Sequence, residues 1–248
     1  MTKQQIIAVI PARFASTRLP GKMLADVAGK PLVQRVWEGV SAATLISRVI
    51  IATDHQRIFA AARKFGAEAV MTDPALPSGT DRAAVATASL SADWIVNVQG
   101  DEPLLRGEVL DDFVARLSPR FGMATLARRL PADSAAARDP NVVKVVSGLD
   151  GRALYFSRAA IPFRRDADGA APEYWQHIGI YAYQPATLRR LVTLPASPLE
   201  RVEKLEQLRA LQNGIAIQVL PTAFESIGVD TVEDLRRVAG IFGEMKGK

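Results

Sequence analysis

The run Ile6-Ile7-Ala8-Val9-Ile10 passes without a break into Pro11-Ala12-Arg13-Phe14-Ala15-Ser16-Thr17-Arg18-Leu19-Pro20-Gly21-Lys22. Five consecutive apolar residues that stop at Pro11 and Arg13 read as a short β-strand. The residues beyond the strand put three cations, Arg13, Arg18 and Lys22, into one loop bounded by Gly and Pro. In open α/β sheets ligands collect at the carboxyl ends of strands, and a Gly-containing loop with three cations there suits a polyphosphate. The loop matches neither GxGxxG nor GxxxxGK[ST], so a dehydrogenase reading is weak. A solvated surface loop with ordinary exposed cations is the alternative.

Outward from this stretch the pattern repeats. Val49–Ala52, Ala69–Met71 and Ile95–Val98 are further strand candidates, separated by helix candidates at 31–46, 56–65 and 80–90. Leu32, Val33, Val36 and Val40 share one helical face, with Pro31 in the first turn. Such crossovers are what parallel strands require. From about residue 120 the rhythm changes to Met123–Leu126, Val142–Val146, Leu154–Phe156 and Ile178–Tyr183, with few helices between them. The tail returns to α/β form, with a helix at 199–212 ended by Asn213-Gly214, a strand at 215–219 and a last helix from about 231. The expected fold is therefore α/β: one domain over 1–248, built on a Rossmann-like, mostly parallel sheet with helices on both faces. A smaller antiparallel β-containing subdomain is expected at about 120–195, and 165–173 reads as a mobile loop.

The chain has 248 residues, 48% hydrophobic and 23% charged, with no Cys, which excludes disordered, collagenous and disulfide-built classes. Without Cys there is no thiol nucleophile or thiolate zinc site, and His55 and His177 are too few for a His-only metal cage. Any metal is expected to be hard and carboxylate-bound. No apolar run approaches the roughly 18 residues of a transmembrane helix, and Ile6–Ile10 is too short for a signal peptide's apolar region. A cytoplasmic protein without membrane insertion is expected. Lys+Arg 31 against Asp+Glu 26 gives a net charge of +5. Neither a basic stripe with interleaved aromatics nor an RNA motif accompanies it, so a nucleic-acid partner is not expected. A non-enzymatic nucleic-acid-binding protein is the distant alternative.

Trp94-Ile-Val-Asn-Val-Gln99-Gly-Asp101-Glu102-Pro103 reads as a buried strand delivering polar residues at its C-terminal end. Asp101 and Glu102 can hold Mg²⁺, which takes one or two carboxylates and leaves its other positions to water and phosphate oxygens. A turn in which Asp101 bonds its own backbone is the competing account. Asp230 is equally a helix N-cap, completed by Glu233 as a capping box, or a ligand. His177 and Tyr181 lie four apart on a strand, hence on one face, where a satisfied structural His is the ordinary explanation. Glu200 and Lys204 form an i,i+4 pair, whereas Glu206 has no basic residue four away and only Arg209 at i+3.

In order, Ile-Pro-Ala-Arg13-Phe-Ala-Ser-Thr-Arg18-Leu-Pro-Gly-Lys22, Ala-Thr-Asp54, Ser78-Gly-Thr-Asp-Arg82, Val-Gln99-Gly-Asp101-Glu-Pro, Tyr-Phe-Ser-Arg158, His177-Ile-Gly-Ile-Tyr181, Leu-Glu206-Gln-Leu-Arg and Gly-Val-Asp230 resemble the 3-deoxy-manno-octulosonate cytidylyltransferases, or CMP-Kdo synthetases, over nearly the whole chain. The resemblance implies transfer of CMP from CTP to the anomeric hydroxyl of Kdo, with release of pyrophosphate, for lipopolysaccharide synthesis. It implies that Arg13, Arg18 and Lys22 meet the triphosphate, with Ser16, Asp54, Ser78, Gly79, Thr80 and Arg82 on the nucleotide. Asp101 and Asp230 would hold Mg²⁺. Gln99, Arg158, His177, Tyr181 and Glu206 would form the sugar-acid pocket, in or beside a subdomain that also serves a homodimer. Another acidic ketosugar, 8-amino-Kdo or a sialic acid, is the nearest alternative substrate. Two positions depart from the family pattern: Leu76 stands where His is common, and Val85 where Glu is common.

Overall fold

The computed structural model describes residues 4–16, 18–131, 134–166 and 172–246, so most of the stretch expected to be a mobile loop lies outside the described residues. The chain forms two compact units, one of Met1–Ala115 with Ser226–Lys248, the other of Arg116–Glu225.

In the first unit the elements run β1 (Ile6–Ala12), a small hairpin of β2 (Asp26–Val27) and β3 (Lys30–Pro31), α1 (Leu32–Ser41), β4 (Arg48–Thr53), α2 (Gln56–Lys64), β5 (Glu68–Met71), α3 (Gly79–Thr87), β6 (Trp94–Asn97) and α4 (Gly107–Ala115). The strands lie in the order β6-β1-β4-β5, all parallel. Ile6 to Ile10 are buried throughout. A strand covered on both faces gains from apolar side chains at every position, which is why β1 reads as a continuous run. The α1 residues Leu32, Val33, Val36 and Val40 are fully buried, as their spacing predicts. The chain moves from β1 to β4 to β5 and then returns to the opposite side of β1 for β6. Right-handed crossovers therefore place α1 and α2 on one face of this sheet and α3 on the other. The order reverses between β1 and β6, and at such a switch point the loops leaving the strand ends open a crevice.

The second unit holds β7 (Met123–Arg129), β8 (Lys144–Ser147), β9 (Ala153–Ser157), β10 (Trp175–Tyr183), α5 (Pro185–Thr193), α6 (Pro198–Glu203), α7 (Gln207–Gln212) and β11 (Ile217–Thr222). Its strands order as β11-β7-β10-β8-β9, with β11 parallel to β7 and the other pairs antiparallel. The segment after it returns to the first unit and ends in α8 (Val232–Lys246).

Three expectations need correction. The single helix at 199–212 is two helices, because Lys204 takes a left-handed backbone (φ 54°) that ends α6, and Leu205 turns inward before α7. Glu200 therefore does not pair with Lys204. It accepts from Ser197 N in a capping box and from Arg209 at both Nε (2.9 Å) and Nη2 (2.5 Å). At the start of α8 the cap sits one residue later than expected. Asp234 N donates to Thr231 Oγ1 (3.1 Å) and Thr231 N to Asp234 Oδ2 (2.9 Å), so Thr231 and Asp234, not Asp230 and Glu233, form the reciprocal pair. That leaves the Asp230 carboxylate for other work.

Candidate active site

The crevice at the β1/β6 boundary is a cleft of about 420 Å³. Its walls come from Pro11 at the end of β1 with Arg13, Ser16, Arg18 and Lys22 beyond it, from residues of the 76–82 stretch where α3 begins, and from Gln99 to Asp101 after β6, with Asp230 joining them. Gly100 permits the close approach of the first and third of these stretches, since a Cβ there would lie 2.6 Å from the Pro11 carbonyl oxygen. Gly21 turns the β1 loop back with φ 68°, and its N–H donates to Phe14 O.

Lys22 is the centre of the polar network. Its Nζ donates to Asp101 Oδ2 (2.8 Å), Asp230 Oδ1 (2.9 Å) and Val229 O (3.0 Å). Arg18 Nη2 donates to Asp230 Oδ2 at 2.7 Å. Burial alone would lower the Lys22 pKa, but Asp101 and Asp230 outweigh it and hold the ammonium above its ordinary value. Asp101 thus spends its carboxylate on a cation 79 positions away rather than on its own turn. Arg13 and Gln99 also line the cleft, and their side chains have no protein partner among the described residues. Ser16 lies on the wall too, its hydroxyl accepting from Leu19 N.

Glu102 departs from the paired role expected with Asp101. Its Oε1 accepts from Ser226 Oγ (2.5 Å), and Oε2 is buried without a partner. Burial, reinforced by the charges of Asp101 and Asp230, pushes its carboxyl up to about 7. Among the described residues no three acids or histidines gather as a metal cage, so the carboxylates facing one another across Lys22 are Asp101 and Asp230 alone.

The remaining nucleotide-side residues divide. Ser78 caps α3 by accepting from Asp81 N, and Ser78, Gly79 and Arg82 all line the wall. Thr80 is buried, and Asp54 does not line the cleft. Asp54 is instead a brace, with Oδ2 accepting from Arg82 Nη2 (2.9 Å) and Oδ1 from Phe14 N (2.9 Å). Phe14 in turn stacks on His55, with ring centroids 3.9 Å apart. Of the two departures from pattern, Leu76 is on the cleft wall, whereas Val85 faces solvent.

In the second unit Arg158 is held at its backbone and partly at its side chain. Its Nε donates to Glu203 O (2.7 Å) and Nη1 to Pro140 O (2.9 Å), which leaves Nη2 and one Nη1 hydrogen. Lys144, fully buried and not singled out by the sequence, donates to Arg158 O (2.6 Å), Asp139 O (2.8 Å) and Val142 O (2.6 Å). His177 and Tyr181 come together as expected, with ring centroids 5.3 Å apart. They do so although the ladder slips between Ile178, opposite Leu126, and Tyr181, opposite Thr125. Burial, and then the charges of Tyr183 and Glu206, raise the Tyr181 phenol far above its usual range.

Burial lowers the His177 imidazole from 6.5 to about 3. Between those values the unfolded chain binds a proton that the folded state refuses, so this contribution to stability is whole above pH 6.5 and is lost as pH falls toward 3. His177→Gln should flatten the acid limb of the stability curve across that window in urea titrations. An unchanged slope would mean that the imidazole is not enclosed.

A family model described as cytidylyltransferase matches residues 7–218. A protein of Solibacter usitatus named 3-deoxy-manno-octulosonate cytidylyltransferase is 49% identical over 241 residues, covering 96% of this chain and 95% of the relative. The chain belongs to the 3-deoxy-manno-octulosonate cytidylyltransferase family. A Geobacter sulfurreducens protein of the same name is also 49% identical, over 245 residues, with 94% and 97% of the two chains covered. A solved CMP:2-keto-3-deoxy-manno-octonic acid synthetase complexed with CTP superposes with a TM-score of 0.92 at 40% identity, covering 97% of this chain and 99% of that one. Members of the 3-deoxy-manno-octulosonate cytidylyltransferase family thus share both sequence and fold with this chain across its length.

Proposed function

We propose that the chain transfers CMP from CTP to the anomeric hydroxyl of Kdo, releasing pyrophosphate, as a step toward lipopolysaccharide. The observation that carries this reading is a cation-lined cleft at the switch point of a chain related end to end to 3-deoxy-manno-octulosonate cytidylyltransferases. In the reaction the sugar oxygen forms a bond to the α-phosphorus as the bond to the oxygen bridging the β-phosphate breaks. Pyrophosphate departs with that electron pair, and the hydroxyl proton goes to solvent. Negative charge grows at the leaving group, so preorganised cations serve the reaction and no protein nucleophile is needed. Arg13, Lys22 and Arg18 meet the triphosphate.

Asp101 and Asp230 share the Lys22 ammonium, and the carboxylate lone pairs it leaves unused are hard oxygen donors of the kind Mg²⁺ takes, with phosphate oxygens and water completing its shell. Those two residues would hold it, and bound there it would neutralise phosphate charge and lower the pKa of the sugar hydroxyl. On the sugar side, Arg158 offers its remaining guanidinium hydrogens to the carboxylate, with His177, Tyr181 and Glu206 of the same unit as further contacts. We read the protein as a cytoplasmic homodimer, a state that light scattering on the purified 26.8 kDa chain measures directly.

The deciding experiment measures pyrophosphate release from each of the four nucleoside triphosphates with Kdo, 8-amino-Kdo and sialic acid, with and without chelator. Turnover of CTP with Kdo, abolished by chelation, is expected. No turnover with any pair sinks the reading, and metal-independent turnover removes Asp101 and Asp230 as ligands. Arg158→Lys keeps the charge but not the planar fork, so the KM for Kdo should rise about tenfold or more with that for CTP little changed. Equal loss for both substrates would place Arg158 outside the sugar pocket.

A further inference from the structure

The slip in the β7/β10 ladder leaves the carbonyls of Ile178 and Ile180 turned toward one side chain, Thr125, which is fully buried. Thr125 Oγ1 lies 2.8 Å from Ile180 O, 3.1 Å from Ile178 O and 3.1 Å from His177 Nε2. A hydroxyl has one hydrogen, and a carbonyl oxygen can only accept. The Thr125 hydrogen is therefore committed to the two carbonyls, and toward His177 the same oxygen acts as acceptor. Nε2 must then carry a hydrogen. A neutral imidazole has only one, so Nδ1 holds a bare lone pair, and among the described residues nothing donates to it. The ring is held as well by an edge contact with Phe156 at 5.1 Å and a tilted contact with Tyr181 at 5.3 Å.

We infer that Thr125 is a positioning residue that locks His177 in its Nε2–H tautomer, so that Nδ1 is presented as an acceptor for a hydroxyl hydrogen of the sugar acid. The inference rests on the reading of His177 as part of the sugar pocket. It adds a specificity rule: at this point the pocket prefers a donor, and an analogue deoxygenated there leaves a half-buried acceptor without the sugar's hydrogen. Partial burial against Phe156 and Tyr181 favours the neutral ring, in line with its lowered pKa.

With only two histidines in the chain, ¹⁵N-histidine labelling and long-range proton–nitrogen correlation read the tautomer directly. His55→Gln removes the second signal set and assigns the first. The wild-type spectrum should show the Nε2–H tautomer of His177 alone, unchanged from pH 5 to 8, and saturating Kdo should move the Nδ1 resonance. Thr125→Val should mix the tautomers and raise the KM for Kdo about tenfold, with the KM for CTP altered less than roughly twofold, whereas Thr125→Ser should restore both the spectrum and the KM. An Nδ1–H or mixed tautomer in the wild type overturns the lock, and that measurement needs no variant to fold. A Thr125→Val protein that loses Kdo affinity with its tautomer unchanged also overturns it. If the tautomer is as stated but His177→Ala uses Kdo like the parent and Kdo leaves Nδ1 unmoved, the sugar-pocket reading fails and the ligand half of the inference with it.

Discussion

Lys22→Met is expected to lower kcat/KM for CTP by about 10²- to 10³-fold, because it removes the fixed positive charge that balances Asp101 and Asp230 where the triphosphate must bind. The substitution keeps an unbranched side chain of similar reach in a nearly closed position, 9% exposed, but removes the three donors that Asp101, Asp230 and Val229 now accept from. Two carboxylates are left facing each other without their shared counter-ion, and an incoming triphosphate meets net negative charge where it had met a neutralised cluster. Because the Lys22 pKa is held above its ordinary value, the wild-type ammonium stays charged throughout the working range, so the loss should be independent of pH from 6 to 9. Steady-state kinetics at subsaturating CTP, after a thermal melt has established folding, measure it. A folded variant with less than a threefold change would return the loop to an ordinary surface role.

The second large effect is on stability. Asp54→Ala should cost about 3–5 kcal/mol, because Arg82, 3% exposed at its side chain, would be left buried without its carboxylate. The Phe14 N–H would lose its acceptor at the same time. In a urea titration the midpoint should fall with an unchanged slope. The pair Asp54→Leu with Arg82→Met should be less damaging than either single change, since replacing both members by apolar groups removes the unpaired charge. A loss below about 1 kcal/mol in the single variant would show that water reaches Arg82 and stands in for the carboxylate.

The central strands were legible because a strand covered on both faces must be apolar at every position, and the α1 face because Leu32, Val33, Val36 and Val40 obey the helical period. The loop cations and Asp101 were legible for a related reason: strand ends in this topology converge. Asp54 was placed on the nucleotide by resemblance, and its pairing with Arg82 could not be seen, since it joins a strand end to a helix start 28 positions on. The helices α4 and α5 were passed over because nine-residue segments with two or three buried apolar positions barely rise above the surrounding loops. The break at Lys204 is set by a backbone conformation that a lysine does not advertise. Thr125 carries no signal at all in a run of apolar strand residues, since its importance comes from the ladder slip opposite it.

Lys22 and Asp230 are 208 positions apart, and the whole second unit is threaded between Asp101 and Asp230. During synthesis the amino-terminal part of a chain emerges first. A nascent chain can therefore assemble the parallel strands and present Lys22 to Asp101 long before its second carboxylate exists. A product that ends between residues 101 and 230, whether from a stalled ribosome or a protease cut, carries the cation loop and half of the acid pair. Competence is thus acquired only once residue 230 has been made, and a chain that stops short of it holds a cleft whose central ammonium has lost one of its two acidic partners.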